Sequence, residues 1–152
     1  MAFYQPPFMT TVSDVTASTL APTVANSGTT YVLDRAAGIA VTLPSIDAGE
    51  VGTKFQFVIK TTITSNSTTI KVPSASETLN GLALIVKDDA GTPAMGFKTG
   101  ATDDTVSLNG TTTGGIKGDI IEVEAISTTV WLVKVLASAT GTEATPFSAT
   151  VS

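Results

Sequence analysis

The chain contains no cysteine and no histidine. The first absence excludes disulfide frameworks and thiol nucleophiles, and the two together exclude Cys/His zinc sites. Without imidazole there is no Ser-His-Asp triad, no HExxH site and no acid or base whose ordinary pKa lies near neutrality. Any catalysis would fall to carboxylates, lysines and hydroxyls, which leaves few mechanisms. Charge is also sparse: 14% of the 152 residues are charged, 8 basic against 13 acidic, for a formal net charge of -5. The basic residues Arg35, Lys54, Lys60, Lys71, Lys87, Lys98, Lys117 and Lys134 stand singly along the chain. No basic run offers a track for a phosphate backbone, so nucleic acid is not an expected partner. Aromatics are only 6% of the chain, which counts against a sugar site built on stacked rings. Long apolar runs are missing too, so no membrane partner is expected. The first 34 residues hold no Lys or Arg and no apolar run of h-region length. The expectation is a protein made in the cytoplasm and soluble there.

What is present is β-forming. Against 42% hydrophobic residues stands a polar fraction dominated by Thr, Ser and Gly, the mixture of strands joined by tight turns. The length fits one domain with a core of its own. The opening Met1-Ala2-Phe3-Tyr4-Gln5-Pro6-Pro7-Phe8-Met9 is different, because two prolines remove backbone donors and fix φ. It reads as an extended arm that continues to residue 26, with the domain over 27–152. The arm aromatics lie outside the alternating pattern and need a surface to bury against, either their own sheet or a neighbouring protein.

From the turn at Asn26-Ser27-Gly28 onward, short period-two segments recur between Gly, Asn, Asp, Ser and Pro. Tyr31 and Leu33 share one face, and Ile39, Val41 and Leu43 alternate up to Pro44. Lys54 to Lys60 is the clearest strand, with Phe55, Phe57 and Ile59 inward and Val58 the exception on the outer face. Ser65-Asn66-Ser67 predicts a turn into Thr68 to Val72, paired as a hairpin with the strand before it. Asn80-Gly81 predicts another turn, leading into Leu82 to Lys87. Asp119 to Ile126 and Thr129 to Leu136 form the last pair, with Trp131 in the core. No stretch supports a helix. The predicted fold is all-β, a single sandwich or barrel-like domain of about eight or nine short strands behind an N-terminal arm.

Three features carry possible chemistry. Gly110 to Gly118 is glycine-rich like a phosphate loop, but Ile116 precedes Lys117 and a strand follows, so it reads as an inter-strand loop. Asp88-Asp89 and Asp103-Asp104 are paired acids that could ligate a hard cation such as calcium or work as acid and base. They lack EF-hand spacing and a placed partner, and read as solvated turn acids. Asn66-Ser67-Thr68 and Asn109-Gly110-Thr111 match the glycosylation acceptor pattern and read as turns. No catalytic residue, cofactor or metal site is expected, and the chain is not expected to be an enzyme.

Tyr31-Val32-Leu33-Asp34, Ile39-Ala40-Val41-Thr42-Leu43-Pro44 and Gly52-Thr53-Lys54-Phe55-Gln56-Phe57-Val58-Ile59-Lys60 resemble a run common in tailed-phage virion proteins. Gly118-Asp119-Ile120-Ile121-Glu122-Val123 and Val130-Trp131-Leu132-Val133 are similar to the closing hairpin of small capsid decoration, or cement, proteins. That resemblance implies a β-rich homotrimer on the outside of the virion, seated on the major capsid protein and clamping neighbouring subunits. It also implies that the arm docks on the capsid, which makes Phe3, Tyr4, Pro6, Pro7, Phe8 and Met9 the candidate docking residues. The alternative is a trimeric fibre-tip or carbohydrate/receptor-binding module, although the chain shows no shaft or repeat.

Overall fold

Alternation of large apolar and polar side chains dictates which face of each segment leaves water. In the computed structural model, which describes residues 10–151, that pattern produces twelve strands. They are β1 (Val12–Val15), β2 (Thr19–Leu20), β3 (Thr30–Leu33), β4 (Ala40–Thr42), β5 (Lys54–Ile59) and β6 (Thr68–Lys71), then β7 (Thr78–Lys87), β8 (Met95–Lys98), β9 (Thr105–Leu108), β10 (Ile120–Ala125), β11 (Val130–Ala139) and β12 (Phe147–Ser148). Single 3-10 turns at Val24–Asn26 and Ala48–Glu50 are the helical segments among the described residues. A seven-stranded sheet runs β1-β3-β5-β10-β11-β7-β8, and a five-stranded sheet runs β12-β9-β6-β4-β2. The two pack together as an all-β sandwich.

The inward positions are those alternation predicts. Tyr31, Leu33, Phe55, Phe57, Ile59, Ile121, Val123, Trp131, Val133 and Val135 are buried from the larger sheet, and Val41, Ile70, Val106 and Leu108 from the smaller. Tyr31 stacks on Phe57 with ring centroids 5.7 Å apart, and Phe55 stacks on Trp131 at 6.3 Å. Each such side chain contributes about 1.5 to 3 kcal/mol by leaving water.

Trp131 is fully buried and must place its indole N–H. It donates to Glu77 Oε2 at 3.3 Å, and Ser74 Oγ donates to the other oxygen at 3.4 Å. Burial pushes the Glu77 pKa up, and these two donors only partly offset it. Trp131→Phe is expected to lose about 1 to 3 kcal/mol of unfolding free energy by urea titration, the cost of leaving a buried acceptor short of a partner. Losing a donor to the carboxylate raises the folded-state pKa of Glu77 further. Protonation then favours the folded variant, so its deficit should shrink as pH falls.

Four sequence expectations are corrected. The strand count exceeds eight or nine because very short edge strands at 12–15, 19–20 and 147–148 carry too few residues to show a period. Residues 12–26, expected to belong to the arm, are instead part of the sandwich: β1 pairs parallel with β3, and β2 pairs parallel with β4. Val15 points into the core and Pro22 is buried, so the chain is anchored well before residue 27. β5 and β6 do not form a hairpin, since β6 lies in the other sheet between β4 and β9. The turn at Asn66 is real, with φ of 51°, but it serves a crossover between sheets. Asn80-Gly81 is no turn: both lie inside the ten-residue β7, in parallel register with Leu132 and Val133 of β11. Position 81 needs glycine for close backbone approach, which a dipeptide turn rule cannot distinguish from reversal of the chain.

Candidate interaction surface

The acids that could have carried chemistry are absorbed into the architecture. Asp119 is buried and accepts from Gly115 N and Ile116 N on Oδ2 at 2.8 and 3.0 Å. Its Oδ1 accepts from Ser138 N and Ser138 Oγ at 3.0 and 2.9 Å. Burial raises its pKa, against which those donors act. The amides of the glycine-rich loop, which would cradle a phosphate in a true anion loop, are thus turned on an internal carboxylate. Asp104, expected to be solvated, is buried and accepts from Thr150 N and Val151 N at 2.8 and 3.1 Å, pinning the C-terminal segment. Asp103 accepts from Gly100 N at 2.7 Å, and exposed Asp89 pairs with Lys87 Nζ at 3.0 Å. Asn109 Oδ1 accepts from the backbone N–H groups of Thr111, Thr112 and Thr113, so this acceptor-pattern asparagine organises its own loop. Among the described residues no three acidic side chains gather where they could hold a metal ion.

The outer face of the seven-stranded sheet is what these structural roles leave free. Strand register brings one outward residue from each strand into a rank across the sheet: Val32, Val58, Ile120, Leu136 and Leu84, on β3, β5, β10, β11 and β7 in turn. Leu136 is 53% exposed and Leu84 46%, while the other three are half-buried by their neighbours. Leu82 and Val86, two positions either side of Leu84 on β7, extend the patch. Scattered exposed apolar residues are normal, but a contiguous rank crossing five strands is the form an interaction surface takes.

Charged and polar ranks border it on both sides. On one side lie Asp14, Asp34 and Lys60, where Lys60 Nζ sits 3.0 Å from Asp34 and 3.5 Å from Asp14. The Thr61 hydroxyl and this lysine lower the Asp34 pKa. On the other side run Thr30, Gln56, Glu122 and Lys134, with Lys134 Nζ 3.7 Å from Glu122. This second flank is hollowed into a groove of about 390 Å³ that begins at Thr10 and Gly28 and ends at Leu132 and Lys134. An apolar centre with a polar rim is the usual anatomy of a protein contact.

Of the predicted docking residues, Phe3, Tyr4, Pro6, Pro7, Phe8 and Met9 lie outside the described residues. The apolar rank was only partly visible in sequence. Val58 broke the alternation of its strand, and Leu82-Ala83-Leu84-Ile85-Val86 is apolar at every position, the signature of a strand with two apolar faces. Asp119 and Glu77 carried no such signal, since their roles depend on partners 19 and 54 residues away. Compared with protein-family models and with curated protein sequences, the chain matches none.

Proposed function

We propose that this protein is a non-catalytic structural component of a phage virion, a decoration protein that binds the outer surface of the assembled capsid and clamps neighbouring major capsid subunits. The observation that carries this reading is the apolar rank Val32-Val58-Ile120-Leu136-Leu84, bordered by charged residues and covered by nothing in the described chain. A clamp needs contact area and not chemistry, and the buried carboxylates here hold loops and termini. Such a protein stabilises the assembled lattice in proportion to its preference for that state over free subunits. In the trimer that the sequence resemblance implies, three linked weak contacts gain avidity through effective concentration. The arm residues Phe3, Tyr4 and Phe8 would serve as anchors, since a few aromatics carry most of the energy of a contact.

Light scattering with and without expanded phage heads lacking the protein tests the reading. A discrete oligomer that saturates the heads at fixed stoichiometry is expected. Removal of residues 1–10 should abolish binding while leaving the unfolding temperature within a few degrees of the full chain. A folded protein that ignores heads would defeat the proposal and favour the receptor-binding alternative.

A further inference from the structure

The groove beside the apolar rank has a direction. It crosses the strands, from Thr10 at the β1 edge, past Gly28 and Lys54, to Leu132 and Lys134 on β11. It therefore begins at the first described residue of the chain, and its far end abuts Leu82, the register partner of Lys134.

We propose that this groove is the berth of the chain's own residues 1–9, which lie across the outer face of the sheet with Tyr4 and Phe3 seated against Leu132 and Leu82. Length is the first argument. Neighbouring strands are about 4.8 Å apart, so the path from β1 to β11 is about 19 Å and to β7 about 24 Å. A segment containing Pro6-Pro7 favours the polyproline conformation, which rises about 3.1 Å per residue. Tyr4, six residues before Thr10, falls about 19 Å along that path, over β11, and Phe3 falls about 22 Å along it, near β7. Phe8 falls near the start, above Gly28, where a Cβ would meet nothing within 4 Å and a ring has room.

Chemistry is the second argument. Residues 1–9 contain no acidic or basic side chain, so the segment brings no charge that Lys54, Glu122, Glu124 and Lys134 would repel. The lysine stems offer apolar walls to aromatic rings, and an ammonium over a ring face adds a cation–π attraction. Prolines suit a strap that crosses strands without joining the hydrogen-bond ladder. The berth leaves Val32, Val58 and Ile120 uncovered, so a neighbour could still use the apolar rank. The inference stands apart from the capsid reading, and its test involves no phage head.

The test places p-benzoylphenylalanine at Tyr4 in the full chain and irradiates a dilute equal mixture of isotope-labelled and unlabelled protein. Cross-links within single chains, mapping to residues 130–134 or to Leu82, are expected. Leu132→Asp should cut their yield at least fivefold, while Ala90→Asp, on an exposed loop far along the chain, should leave it unchanged. A second measurement does not require the aspartate variant to fold: methyl NMR of the full chain against one beginning at Thr10. The Leu82 and Leu132 methyl signals should move, and that of Leu108 in the other sheet should stay. Cross-links only between copies would overturn the assignment in favour of exchange with a second copy. Cross-links to other surfaces, none at all, or unmoved Leu82 and Leu132 signals would overturn it altogether.

Discussion

Asp119→Ala is expected to cost on the order of 3 to 5 kcal/mol in urea unfolding, a large share of the roughly 5 to 15 kcal/mol that holds a domain together. The side chain ties three parts of the molecule to one point. It receives Gly115 N and Ile116 N from the glycine-rich loop and both the amide and hydroxyl of Ser138 on β11. Its own backbone carbonyl accepts from Ile59 N of β5 at 2.9 Å. Truncation leaves buried donors without partners, at about 1 to 3 kcal/mol for each that water cannot reach. Asp119→Asn should recover little. Its oxygen can still serve Ser138, but its amide nitrogen then faces two N–H donors.

The same residue sets a pH dependence whose sign follows from its raised pKa. A carboxyl with a folded pKa above its unfolded value binds protons more readily in the folded state. Its contribution is then fully present below the unfolded pKa and is lost as pH rises through the folded one. The stability gap between the wild type and Asp119→Asn should accordingly widen as pH falls from neutrality. A gap that narrows on acidification would mean that the four donors outweigh burial.

Gly81→Ala is the second large effect, expected to exceed about 3 kcal/mol, beyond the usual cost of an extra methylene in a packed interior. A Cβ at this position would lie 1.7 Å from the Val133 carbonyl oxygen and 2.7 Å from its carbon. Those are backbone atoms of the adjacent strand in register, so relief requires parting β7 from β11 along their ten-residue pairing. Gly96→Ala on β8 is the matched control. Its Cβ would meet nothing within 4 Å, and the change should stay within about 0.5 kcal/mol. Thermal unfolding of the two variants separates a close-packed strand interior from a turn. Equal, small losses would restore the reading of Asn80-Gly81 as a chain reversal.

The two variants also mark how far local sequence could be read. Where a segment buries one face, period-two alternation specifies that face without knowledge of its partner. Lys54 to Ile59, Ile120 to Ala125 and Val130 to Val135 folded as strands with the predicted inward residues. The β10–β11 hairpin was legible for the same reason, because its strands are joined by a short turn and its register is local. Parallel neighbours such as β1 with β3 and β7 with β11 left no such trace, since their partners are distant in sequence. Glycine was ambiguous in the same way. At Gly110, with φ of 81°, it does make a turn, whereas at Gly81 it admits a neighbouring backbone.

Composition and alternation by themselves determined the class of this protein: an all-β chain without thiols, imidazoles or a basic track, whose core positions could be named in advance. That information is carried residue by residue, because burial on a pleated strand depends on parity alone. Strand order and register were decided only by the tertiary structure, and with them everything that depends on residues meeting across the sheet. Val32, Val58, Ile120, Leu136 and Leu84 become one surface only when five strands align. Asp119 becomes a keystone only when Ser138 and Gly115 arrive beside it. Such coincidences depend on pairings between distant segments, which the packing of the whole core selects and no local pattern encodes.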